Sequence, residues 1–121
     1  MKSLRDYEIN YLDSWIKRFL GLMFKELNEN EVTIFRFDTL KRKRTFHTFF
    51  MKQNLDFIVL DQDFRVGMLE KDVAPNNLVR FNADKNFYTR WLNDFYIKYV
   101  IECNPGTINS LELELGDKLY L

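Results

Sequence analysis

The stretch that decides the fold is TFHTFFMKQNLDFIVLDQDFRV, residues 45–66. It predicts three consecutive β-strands, because aromatic and β-branched residues dominate it and polar residues interrupt it twice. The first of these strands, residues 46–51, is apolar on both faces, which favours a central position in a sheet. We expect the rest of the chain to pack around this stretch.

The second and third strands are predicted to form a β-hairpin. If Gln62 and Asp63 form a two-residue turn, Val59 pairs with Val66. A shift of one residue would move every side chain to the opposite face, so the apolar pattern selects this register. The predicted apolar face consists of Leu55, Phe57, Val59, Phe64, Val66 and Met68.

Further strands are predicted on both sides of this stretch. Alternating or β-branched segments separated by turn residues indicate short strands at residues 6–12, 32–37, 78–81, 97–103 and 118–121. Short strands at regular intervals are typical of small barrels and sandwiches. The sequence therefore predicts a mainly β fold, a small β-barrel or jelly-roll-like sandwich.

Two helices are predicted between these strands. Asp13 is a suitable N-cap for a short helix over residues 14–20, which Gly21 would end. A single helix from Ser3 to Leu20 fits the same residues, and the sequence leaves both alternatives open. Near residue 90, aromatic residues repeat every four positions, which predicts a second helix.

Composition limits the class of protein. The chain has 121 residues, of which 46% are hydrophobic and 30% charged, as expected of one globular domain spanning residues 1–121. The single Cys103 allows no internal disulfide, which favours a reducing compartment. Neither a signal peptide nor an apolar run of about 20 residues is present, so we expect a soluble, cytoplasmic protein without membrane insertion.

Several segments together resemble one known family. RFLGLMF (residues 18–24), HTFFMKQNLDFIVLD (residues 47–61), YVIECNPGTI (residues 99–108) and LGDKL (residues 115–119) are similar, in order and spacing, to motifs of the prokaryotic domain of unknown function 192 (DUF192) family. This resemblance implies a compact, mainly β fold in which the first motif ends a short helix, and it favours a strand followed by a helix before residue 20. It implies no activity, cofactor or catalytic residue.

Four residues are candidates for chemistry. Asp56 and Glu102 are carboxylates within apolar strands, and Arg18 is a candidate partner for them. His47 is the only histidine and could act as an acid, base or ligand. The favoured interpretation is a polar network that fixes strand register, and the alternative is a pocket in which these groups catalyse a reaction. One His and one Cys form no metal set, and we expect no cofactor.

Two segments are candidates for binding. The basic run Lys41, Arg42, Lys43 and Arg44 could contact phosphates, although a net charge of zero argues against nucleic acid as the partner. The stripe formed by Phe87, Trp91 and Phe95 could cover the core or present a surface to a partner.

No nucleophile, base and orienting group can be identified together. We therefore expect a non-catalytic module that binds a protein partner or a small ligand. A small enzyme that uses Asp56, Glu102 and Arg18 is the alternative, and binding of nucleic acid through residues 41–44 is a weaker one.

Overall fold

The computed structural model describes residues 1–12 and 26–121. The predicted helix at residues 14–20 lies outside these residues. The described part contains seven strands, one 3₁₀ helix (Thr89–Trp91) and one short α-helix (α1, Thr107–Ser110). The strands are β1 (Glu8–Leu12), β2 (Glu31–Lys41), β3 (Lys43–His47), β4 (Leu55–Leu60), β5 (Val66–Val73), β6 (Leu78–Asn82) and β7 (Ile97–Cys103).

These strands form two sheets. The larger sheet has the order β1-β2-β7-β4-β5, in which β1 and β2 run parallel and the other neighbours run antiparallel. The smaller sheet pairs β3 with β6. The prediction of a mainly β fold is confirmed, but the described strands do not close into a barrel.

A hydrophobic cluster lies on each face of the larger sheet. The first cluster joins the two sheets, because Phe46 of β3 packs edge-on against Phe35 of β2 with ring centroids 5.1 Å apart. The second cluster lies on the opposite face, beneath α1 and the last residues of the chain. It includes Ile34, Ile58 and Ile101, which neighbour one another across β2, β7 and β4.

The predicted hairpin exists, but its predicted register is wrong. Leu60 pairs with Val66 and Val59 with Met68, so residues 61–65 form the connection and the register shifts between these two pairs. The shift places Val66 in the second cluster, whereas Met68 lies in the first. The predicted single apolar face is therefore divided between the two faces of the sheet.

Three other predicted elements differ from the structure. At residues 118–121, where a strand is predicted, only isolated bridges form, between Arg65 and Lys118 and between Ser3 and Tyr120. The strand predicted at residues 46–51 ends at His47 and belongs to the smaller sheet, so it is not central. The chain turns there, since Phe50 has a φ of 62°, in the left-handed region. The second helix predicted near residue 90 is only the single 3₁₀ turn Thr89–Trp91.

Candidate functional site

Asp56 is a buried carboxylate whose two oxygens accept hydrogen bonds from the backbone. Oδ1 accepts from the N–H of Asp72 at 2.9 Å. Oδ2 accepts from the N–H groups of Gly106 and Ile108, each at 3.1 Å, and so holds the start of α1 against β4. A carboxylate engaged in this way fixes the position of a loop and has little capacity left to react.

Glu102 is also buried, but it points to the other face of the sheet. It lies on β7 opposite Phe57 of β4, whereas Asp56 lies opposite Cys103. Side chains alternate between faces along a strand, so the two carboxylates project in opposite directions. The structure therefore does not bring together Asp56 and Glu102, the two carboxylates of the alternative catalytic pocket.

The environment of Glu102 favours the protonated acid. Its Oε2 atom has no hydrogen-bond partner among residues 1–12 and 26–121. Burial raises the pKa of this carboxyl from 4.5 to about 8, because an apolar surrounding destabilises the charged form. Arg18, the predicted partner of both carboxylates, lies outside the described residues.

His47 and Cys103 make local contacts. The His47 ring stacks on Phe49 with centroids 5.0 Å apart, and its Nδ1 accepts a hydrogen bond from the N–H of Phe49 at 3.2 Å. Cys103 is a free, buried thiol, and burial raises its pKa far above the ordinary value. The thiol is therefore protonated, and little of the nucleophilic thiolate form is present. The described part of the chain contains no cluster of His, Cys, Asp or Glu suited to a metal ion.

In the basic run, the two arginines contact other residues of the protein, whereas the two lysines face solvent. Arg42 donates hydrogen bonds to the carbonyl oxygens of Leu92 at 2.9 Å and Phe95 at 2.7 Å, and it pairs with Asp84. The guanidinium carbon of Arg44 lies 3.9 Å from the ring centroid of Phe37. Lys41 and Lys43 are exposed. The four cations therefore do not act as one solvent-facing patch.

The predicted aromatic stripe does not lie on one face. Phe87 and Trp91 are 69% and 75% exposed, whereas Phe95 is fully buried in the first cluster. We call Phe87 and Trp91 the aromatic surface. Arg90 extends it, because its guanidinium carbon lies 4.9 Å from the centroid of the Trp91 ring, at cation–π distance.

The segment that carries the aromatic surface is held by several polar contacts. Oδ1 of Asn86 accepts hydrogen bonds from the N–H groups of Tyr88 and Thr89, at 3.0 and 3.2 Å. Oγ1 of Thr89 donates to the carbonyl oxygen of Ala83 at 2.9 Å. Together with the bonds from Arg42, these contacts fix the backbone on both sides of Trp91. The exposed rings therefore project from an anchored backbone.

No helix in the described ranges is both long and apolar enough to span a membrane.

Comparisons with known proteins identify similar chains. The model of the DUF192 family, described as uncharacterized ACR, matches residues 2–121. A UPF0127 protein of Pyrococcus horikoshii is 35% identical over 112 residues, which represent 93% of this chain and 85% of that protein. Another, from Pyrococcus furiosus, is 30% identical over 112 residues, or 93% of this chain and 84% of that protein.

The fold is also found in solved structures. A protein of unknown function from Novosphingobium aromaticivorans matches with a TM-score of 0.74 and 23% identity, and the match covers 93% of this chain and 73% of that one. At this level of identity the similarity establishes the fold alone.

Proposed function

This chain belongs to the DUF192 family, and we propose that it is a non-catalytic module that binds a protein partner through Phe87 and Trp91. The observation that carries this proposal is the 75% exposure of Trp91 on an anchored backbone. Tryptophan is usually well buried in a monomeric protein, and it is enriched among the residues that contribute most to binding energy at interfaces.

The anchoring of this segment also supports binding. A surface that is already ordered loses less conformational entropy when a partner docks, so more of the contact energy appears as affinity. Arg90 adds a charge beside the Trp91 ring, and arginine and aromatic residues are together enriched in the centre of protein interfaces.

The alternative of a small enzyme has less support. Asp56 and Glu102 project from opposite faces of one sheet, and the thiol of Cys103 is buried. A general acid and a general base must reach the same substrate, which this arrangement of the two carboxylates opposes. The free thiol of Cys103 supports our further proposal of a reducing, cytoplasmic location.

Photo-crosslinking in the native host tests the proposed surface. We would place p-benzoylphenylalanine at position 87 or 91, and at position 78 as a control, because Leu78 is an exposed apolar residue on β6. We expect one protein to be crosslinked from positions 87 and 91 and not from position 78.

The crosslinked protein would then be purified for titration against the wild-type chain and its variants. We expect Trp91→Ala to weaken its affinity at least about tenfold, the effect typical of an interface residue of this kind, and Leu78→Ala to leave affinity unchanged. Equal affinity for wild type and Trp91→Ala, or the absence of a crosslink specific to positions 87 and 91, would contradict the proposal.

A further inference from the structure

A cavity of about 350 Å³ opens on the second face of the larger sheet, away from the first cluster that contains Phe95. Its walls come from β1, β2, β7, the β4–β5 connection and the end of the chain. The lining residues are Tyr11, Arg36, Phe64, Tyr99 and Leu121. Its volume lies at the lower end of the range for small-molecule sites, about 300–1,000 Å³.

One wall of this cavity is a pair of stacked aromatic rings. The rings of Phe64 and Tyr99 have centroids 5.4 Å apart and planes inclined by 21°. Phe64 has a φ of 63°, a conformation that is unfavourable for a residue with a side chain.

Neighbouring groups hold Phe64 in this conformation. Its N–H donates to the carbonyl oxygen of Asp61 at 3.1 Å, and its own carbonyl oxygen accepts from the N–H of Leu119 at 3.0 Å. The Asp61 carboxylate fixes the same turn, because it accepts hydrogen bonds from the N–H groups of Asp63 and Arg65. The flat apolar wall is therefore formed before any ligand binds.

The polar groups of the cavity have no partners within residues 1–12 and 26–121. The guanidinium of Arg36 and the hydroxyl groups of Tyr11 and Tyr99 make no hydrogen bond or ion pair with any residue that the structure describes. Arg36 and Tyr99 are neighbours across β2 and β7, so their polar ends approach the cavity from adjacent strands. No acidic side chain lines it among the described residues. The lining side chains that the structure describes therefore offer hydrogen-bond donors and one positive charge.

We propose that this cavity binds a small planar aromatic carboxylate. The planar guanidinium of Arg36 matches a carboxylate, to which arginine donates two parallel hydrogen bonds. The Tyr11 and Tyr99 hydroxyl groups are additional donors, and the aromatic body of the ligand packs against the Phe64–Tyr99 pair in an offset arrangement. This site is separate from the aromatic surface and independent of it, so failure of one proposal leaves the other unaffected.

Isothermal titration calorimetry on the full chain tests the proposal with three probes: benzoate, 4-hydroxybenzoate and indole-3-acetate. Benzamide, 4-hydroxybenzamide and indole-3-acetamide are their neutral controls. We expect at least one carboxylate to bind and its amide to bind at least about tenfold more weakly. The amide lacks the charge, and a hydrogen bond to a charged group typically raises affinity by at least about tenfold.

Three variants locate the site. Arg36→Gln removes the charge and is expected to weaken carboxylate binding at least about tenfold, whereas Arg80→Gln, which changes an exposed arginine on β6, should have no effect. Phe64→Gly removes the aromatic ring, and glycine accepts the positive φ at this position. Loss of binding in this variant therefore reports the missing ring and not a strained backbone. Circular dichroism checks that each variant is folded.

The proposal is overturned if no carboxylate binds at millimolar concentration, or if acid and amide bind equally. It is also overturned if Arg36→Gln and Arg80→Gln bind the carboxylate as tightly as the wild type.

Discussion

Gly67 of β5 leaves open the space that the ring of Phe95 occupies. A Cβ atom at position 67 would lie well inside contact distance of three ring atoms of Phe95. The φ of Gly67 is not in the left-handed region, so the requirement for glycine here is steric. Phe95 ends the segment that displays Trp91, so this contact attaches the aromatic surface to the larger sheet.

Gly67→Ala should therefore destabilise the fold by displacing the Phe95 ring. Overpacking of a core contact typically costs about 1–3 kcal/mol in unfolding free energy. Urea denaturation followed by circular dichroism measures this change. Glu70→Ala, an exposed change on the same strand, is the control and should lie within about 0.5 kcal/mol of wild type.

A second change identifies the cause. In a Phe95→Leu background, the same Gly67→Ala substitution should cost less, because the smaller side chain leaves space for the new methyl group. If the two substitutions are additive, the contact between these residues is not the source of the destabilisation.

Asp56→Ala should be among the most destabilising single changes in the described part of the chain. It removes the acceptor of three backbone N–H groups, those of Asp72, Gly106 and Ile108, two of which belong to the start of α1. The bond from Ile108 is buried and those from Asp72 and Gly106 are partly buried. A buried donor left without an acceptor costs about 1–3 kcal/mol and a partly buried one less, so a total of about 3–5 kcal/mol is expected.

Thermal and urea denaturation measure the effect of this variant. Asp63→Ala is the matched control, because Asp63 is exposed in the β4–β5 connection. Equal stability of the two variants would show that the Asp56 carboxylate does not hold the loop.

Arg42→Lys should loosen the segment that carries the aromatic surface. A lysine ammonium cannot reproduce the fork by which Arg42 contacts Asp84 and the carbonyl oxygens of Leu92 and Phe95. We expect faster amide hydrogen exchange in residues 86–95 and a loss of about 1–2 kcal/mol in unfolding free energy.

Lys43→Arg provides the comparison for Arg42→Lys, because the Lys43 side chain is exposed on β3 and its replacement retains the charge. If hydrogen exchange in residues 86–95 is the same in both variants, the Arg42 contacts do not order this segment.

The sequence predicted the strands better than their pairing. The strand predicted at residues 97–103 is confirmed as β7. It could be predicted because a largely buried strand is marked by its apolar residues, whatever strand it pairs with. The hairpin register depends on a local conformation instead. Phe64 adopts a positive φ, and residue type gives little indication of this in an aromatic residue. A two-residue turn therefore fitted the sequence, although the chain uses residues 61–65.

The helix predicted near residue 90 shows how periodicity can mislead. Phe87, Trp91 and Phe95 are spaced by four residues, which is the repeat of a helical face. In the structure the Asn86 side chain holds a tight turn and Phe95 enters the core, while the other two rings face solvent. The four-residue spacing therefore does not mark a helical face, because one of the three rings is buried in the core and the other two are exposed.

The proposed ligand cavity could not be predicted from the chain alone. Its lining residues, Tyr11, Arg36, Phe64, Tyr99 and Leu121, come from widely separated positions. Only the sheet order, in which β7 lies between β2 and β4, brings them together.

Glu102 should make the stability of the protein depend on pH. Its carboxyl has a pKa of about 8 in the folded chain, raised by burial, and about 4.5 when unfolded. The stabilisation linked to this proton is fully present below pH 4.5 and is lost progressively as the pH rises to about 8, because only the unfolded chain releases the proton in this interval. Above that range both states are ionised and the dependence ends.

Glu102→Gln removes this titration while it retains the size of the side chain. Relative to wild type, the variant should gain about 5 kcal/mol in unfolding free energy between pH 4.5 and pH 8, because each pKa unit of the shift corresponds to about 1.4 kcal/mol. Urea denaturation at half-unit pH steps measures both curves, and Glu114→Gln, an exposed carboxylate, should follow the wild type. Parallel curves for wild type and Glu102→Gln would mean that Glu102 is ionised in the folded protein.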